Sequence, residues 1–143
     1  MIEETCGPIL KQLTDVLTKQ VNNELREEGL TMSQMRVLVI LDGKQDKTAS
    51  MKEIEKELSV AQPTAAGIFR RIEEKGFITY LPAPENRRAK WIELTDAGKE
   101  KCRIAYGHME ATEKKLLSGM TEEERKEFYQ LLNKALLAIK HND

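Results

Sequence analysis

Aromatic residues make up only 5% of the 143-residue chain, and there are just two cysteines, four prolines and two histidines. So few aromatics beside 33% charged residues disfavour a β-sandwich, while 40% apolar residues are too many for a disordered segment. A mainly α-helical single domain spanning residues 1–143 is expected. Cys6 and Cys102 are too few for a disulfide framework and form no CxxC pair, which argues against structural zinc and thioredoxin-like chemistry. His108 and His141 lack metal-ligand spacing. No apolar run approaches the ~18 residues of a membrane span, and the opening MIEETCG lacks the basic-then-apolar order of a signal peptide. A cytoplasmic location with no membrane partner is the expectation. No Gly-rich phosphate loop or nucleophile–base pattern occurs, so the chain reads as a non-enzyme without cofactors.

What the chain does have is helical periodicity with well-marked starts. Ile9, Leu10, Leu13, Val16, Leu17, Val21 and Leu25 recur at helical spacing across about residues 5–27, with Gly29 as a stop. Three capping-box patterns follow: Thr31 with Gln34, Ser50 with Glu53, and Thr121 with Glu124. They predict helices to about Asp42-Gly43, through Leu58, and to the end of the chain. Between Ser50 and Thr121 a helix with Pro63 in its first turn ends at Gly76, and Thr95 opens another to about Leu117. KQDKTA reads as a polar loop. FITYL and KWIEL are β-branched, aromatic and too short for helices, so they predict a two-stranded antiparallel hairpin joined through PAPENRRA.

Two short helices joined by a tight turn and followed by a hairpin are the parts of a winged helix-turn-helix, with residues 61–75 as the recognition helix. A helical wheel puts Ala61, Ala65, Phe69 and Ile72 on the core side, with Ile68 near them. Pro63, Ala66, Gly67, Arg70 and Glu74 fall on the opposite side. Ala66 and Gly67 permit close approach to a groove, Arg70 reaches guanine edges or phosphate, and Gln62 and Thr64 sit at the helix N-terminus. Charge placement supports this. Residues 61–90 carry six cations (Arg70, Arg71, Lys75, Arg87, Arg88, Lys90) against three carboxylates, whereas the rest of the chain is net acidic. Pro82 and Pro84 stiffen the hairpin tip, so Arg87 and Arg88 project from it, suited to a narrow minor groove or a phosphate. The pattern leaves open which arginine does which.

On these residues the chain resembles the MarR (multiple antibiotic resistance regulator) family of bacterial transcription factors. The likeness is carried by LTMSQMRVLVIL, MKEIEKELSVAQPTAAGIFRRIEEKGFI and PENRRAKWIELTDAGKE, in the family's order and spacing. Most specific is the wing Asn86-Arg87-Arg88 followed by Leu94-Thr95-Asp96-Ala97-Gly98. The resemblance implies a winged-helix lobe over residues 31–94, with residues 1–28 and 95–143 as dimerisation helices. It implies a homodimer on double-stranded palindromic operator DNA, acting as a repressor, or less often an activator, controlled by a small anionic or phenolic effector or by thiol oxidation. The DNA-binding set would be Gln62, Pro63, Thr64, Ala66, Gly67, Arg70, Arg71, Arg87, Arg88 and Lys90. The chain departs from the family pattern in three places. Asn86 stands where the family usually has Asp, Tyr80 where an arginine is frequent, and Ala66-Gly67 where longer or hydroxylated residues are usual.

Two rival readings share the fold. A winged-helix module could bind a protein partner instead of DNA, but it would not account for arginines on both helix and hairpin tip. Cys6, near the start of the first helix, is the candidate for a thiol-based redox-sensing repressor. Cys102 lies on the apolar face of its helix and reads as a packed thiol.

Overall fold

The computed structural model describes residues 4–82 and 90–142. The chain divides into two compact units, residues 1–108 and 109–143. The first unit opens with α1 (Cys6–Glu27), and Gly29, at φ +72°, takes the left-handed conformation that ends it. Next comes α2 (Met32–Asp42), whose Thr31–Gln34 capping box closes in both directions at 3.2 Å. One turn of 3-10 helix at Gln45–Lys47 leads into β1 (Thr48–Ser50), and α3 (Met51–Leu58) follows directly. Ser59, Val60 and Ala61 form the turn to α4 (Gln62–Glu74). Strands β2 (Ile78–Leu81) and β3 (Trp91–Leu94) precede α5 (Asp96–Leu116).

The sheet has three strands in the order β1-β3-β2, all antiparallel, not the two expected. KQDKTA is therefore not only a loop. Its Thr48 and Ala49, with Ser50, pair with Glu93, Ile92 and Trp91. Three residues with one small apolar side chain carry no readable alternation. The partner strand recruits them: β3 lies in the middle and buries Ile92 and Leu94.

A second expectation is only half met. The Ser50 hydroxyl accepts from the Glu53 N–H at 3.1 Å, but the Glu53 carboxylate does not return to Ser50. It accepts from Lys44 Nζ instead, at 2.9 Å, and Glu57 also accepts from that ammonium. A charged donor outbids a backbone N–H for the carboxylate. The two carboxylates raise the Lys44 pKa, Glu57 most.

The core of this unit gathers Leu38, Leu41, Ile54, Phe69, Ile72, Ile78 and Ile92 from five elements, all essentially inaccessible to solvent. Cys102 on α5 joins them, as expected for a packed thiol. Burial pushes this thiol up to about 11, and the nearby Asp42 adds to the effect. Tyr106, one turn further along α5, donates to Asp42 Oδ2 at 2.7 Å and ties that helix to the end of α2.

This gives a pH prediction. The unfolded thiol ionises near its ordinary value while the folded one stays protonated, so stability falls as pH rises from about 9 towards 11. Urea melts across that range should lose less stability in Cys102→Ala than in the parent. A native thiol titration at pH 8 should count one rapidly reacting group per chain, Cys6, which is exposed. Two rapid groups would mean that Cys102 is not packed.

The second unit comprises the end of α5 and α6 (Glu122–His141), joined by residues 117–121. Thr121 and Glu124 cap each other reciprocally, as the spacing predicts. Within α6 no residue is buried, and Tyr129, Leu131, Leu132, Leu136, Leu137 and Ile139 are all exposed.

Candidate nucleic-acid interface

Helix α4 is held from its inner side. Ala65, Phe69 and Ile72 are fully buried, and Ile68 packs partly against them. Ala61, expected on the same face, is exposed. It is the N-cap, so it lies outside the helical spiral, and its carbonyl accepts from the Ala65 N–H. No side chain caps this end, and Pro63 occupies the first turn. The remaining first-turn N–H groups point outward at the positive end of a 13-residue helix.

The outward side is the one the wheel selects. Gln62, Pro63, Thr64, Ala66, Arg70 and Arg71 are exposed, and Gly67 is half-buried. Among the described residues neither Arg70 nor Arg71 forms an ion pair. Two lysines of the same unit are committed. Lys44 holds Glu53 and Glu57, and Lys101 holds Glu28 at 2.8 Å while lying 5.6 Å from the Phe77 ring centre. Among the described residues the α4 guanidiniums are thus exposed cations without ion-pair partners, as suits a phosphate or base contact.

Lys75, counted in the basic island, turns inward in function. At the end of α4 its ammonium donates to the Gly29 carbonyl at 2.6 Å and to Gln34 Oε1 at 2.9 Å. Gln34 is the buried polar side chain that also closes the α2 capping box. Lys75 therefore fixes the end of α4 to the α1–α2 corner. Sequence gave no sign of this, because its partners lie 46 and 41 residues away.

The other end of the site is anchored by Leu94-Thr95-Asp96-Ala97-Gly98. The Thr95 hydroxyl donates to the Gly76 carbonyl at 2.6 Å and accepts from the Gly98 N–H at 3.1 Å. Its own N–H donates to the Phe77 carbonyl at 3.0 Å. Thr95 caps α5, as expected, and also ties it to the residues joining α4 to β2. Gly98 is buried against the same carbonyl, where no side chain fits.

Lys90 is exposed beside the start of β3, and its carbonyl accepts from the first N–H of α3. Arg87 and Arg88, with Pro84 and Asn86, lie outside the described residues. Cys6 is exposed at the start of α1 and is remote in sequence from this surface. Among the described residues no group of acidic, histidine or cysteine side chains could hold a metal ion, and no helix is long and apolar enough to cross a membrane.

A helix seated on a three-helix core, followed by a three-stranded wing, defines a winged helix-turn-helix protein. Residues 30–90 match the MarR family. The chain is thus similar to the MarR family over this segment. It is 28% identical over 119 residues to the uncharacterized HTH-type transcriptional regulator YfiV of Bacillus subtilis (strain 168), covering 80% of this chain and 72% of the relative. Among solved structures it is similar to MepR, a transcription regulator of the Staphylococcus aureus multidrug efflux pump MepA. The TM-score is 0.82 at 23% identity, over 95% of this chain and 99% of that one. The S. aureus MepR–DNA complex superposes over the same shares with a TM-score of 0.78 at 24% identity.

Proposed function

We propose that this protein is a dimeric, sequence-specific DNA-binding regulator that acts as a repressor and is released by a small anionic or phenolic effector. Residues 31–94 form the DNA-binding lobe, and residues 1–28 and 95–143 form the dimer. The observation that carries the reading is the pair of exposed guanidiniums of Arg70 and Arg71, free of ion pairs among the described residues, on a helix locked from behind. Gln62 and Thr64 lie at its uncapped N-terminus, and Ala66 and Gly67 leave room for a groove edge. Lys90, with Arg87 and Arg88 from the wing, supplies phosphate and minor-groove contacts. In a two-fold dimer the recognition helices meet successive major grooves about 34–36 Å apart. The S. aureus relative solved as a DNA complex supports the DNA assignment.

Selection of bound fragments from random DNA gives the operator and tests its two-fold symmetry. On the selected duplex, affinity should fall steeply with salt, with a log–log slope of about -0.9 per phosphate neutralised. Arg88→Ala should weaken all duplexes alike. Arg70→Ala and Gln62→Ala should change the ranking of operator variants, with about 1–3 kcal/mol of discrimination lost at the contacted base. Equal losses for all three substitutions on every duplex would contradict this division of labour. Absence of salt-dependent binding to any duplex would favour a protein-binding winged helix instead.

A further inference from the structure

Tyr80 lies at the seam between α4 and the wing. It pairs with Ile92 in the β2–β3 ladder, and strand alternation puts it on the same side of β2 as Ile78, which is buried in the core. Two residues further along, the core ends and Tyr80 is 44% exposed. Its hydroxyl lies within electrostatic reach of Glu73, Arg70 and Glu74, the outward residues of the last two turns of α4. Among the described residues nothing accepts a hydrogen bond from this O–H. An amphipathic ring thus sits at the base of the wing with its hydroxyl open to solvent and unpaired among the described residues, beside the helix whose surface reads DNA in the function proposed above.

We propose that the Tyr80 hydroxyl donates to a phosphate of the DNA backbone and is an uncharged anchor between the recognition helix and the wing. Its neutrality follows from its neighbours. A lysine or arginine at this point would carry its charge beside Glu73 and Glu74, whose carboxylates would compete with a phosphate for it. A phenol is not captured in that way and stays free to donate outward. Burial, and then the charge of Glu73, raise the phenol's pKa, so it remains a protonated donor at neutral pH. Arg70 offsets part of the negative field that these carboxylates would present to a phosphate.

The inference rests on the DNA-binding reading, and its test keeps the two apart. Titrate Tyr80→Phe and the parent protein on the selected duplex and on several operator variants, each at a series of salt concentrations. Phenylalanine keeps the ring and its packing, and matching thermal melts would confirm that. The expected result is about tenfold weaker binding on every duplex, the loss of one hydrogen bond to a charged acceptor. The salt slope should be unchanged, since a neutral donor displaces no counterion. Binding within twofold of the parent would overturn the proposal, and so would a loss confined to some sequences, which would mark a base contact. If the parent itself shows no salt-dependent binding, the regulator reading fails and this inference fails with it.

Discussion

Gly98→Ala should destabilise the protein by about 3 kcal/mol, because overpacking a site that cannot relax lies at the upper end of the usual range. A Cβ at this position would overlap the Phe77 carbonyl oxygen and sit 2.5 Å from Leu94 Cδ1. Neither obstacle is the free end of a flexible chain. The carbonyl belongs to the backbone at the entry to β2 and is held by the Thr95 N–H, and Leu94 is buried in the central strand. Relief requires α5 to move off the sheet, which would strain both Thr95 hydroxyl contacts, to Gly76 and to Gly98. A fall in melting temperature of roughly 10 °C is expected for a chain of this size, read by circular dichroism. Gly67→Ala is the control, since a Cβ there meets nothing. It should leave stability within about 1 kcal/mol, with any change towards higher stability. If the Gly98 variant melts within a degree or two of the parent, the junction is looser than its contacts indicate.

That junction also marks the limit of what the sequence discloses. Thr95 as a helix cap was readable, since a hydroxyl ahead of a periodic run has a local signature. Its second bond, to Gly76, joins residues 19 apart and has none. The same division runs through the fold. The helix starts at Thr31 and Thr121 close as their spacing predicts, because capping is settled within four residues. The Ser50 box does not close, because Lys44 reaches Glu53 across nine residues and wins the carboxylate. Strand β1 was missed since its pairing with β3 is a tertiary fact imposed on three residues of no pattern. In the candidate site the outward face of α4 was legible from the wheel, apart from Ala61. Lys75 was counted as part of the basic surface by charge alone, and only the fold reveals its partners on the α1–α2 corner.

The largest functional loss should come from residues far from the proposed DNA surface. Leu132→Glu combined with Leu136→Glu is expected to turn a dimer into monomers in sedimentation and to weaken operator binding by about a hundredfold or more. Both leucines lie on α6, which buries none of its own residues and exposes them at 40% and 51%. With Tyr129 and Ile139 they form a stripe at spacings of three, four and three residues. In the first unit, Ile9, Leu10 and Val16 on α1 are likewise exposed. An apolar stripe of this extent on both end helices is more than a monomer ordinarily leaves in water, and association with a second chain would remove it. Glutamate is a good helix former, so the substitutions disfavour burial without disfavouring the helix. The effect on DNA binding then follows from geometry. Two lobes joined in one molecule bind two half-sites with an effective local concentration that separate lobes lack, and that advantage is typically 10²–10⁴-fold. The monomeric variant should therefore retain the parent's weak affinity for an isolated half-site while losing its preference for the full palindrome. A variant that remains dimeric would move the interface elsewhere on the chain. A parent protein that is monomeric, yet binds the palindrome no better than a half-site, would remove the two-fold basis of the proposed function.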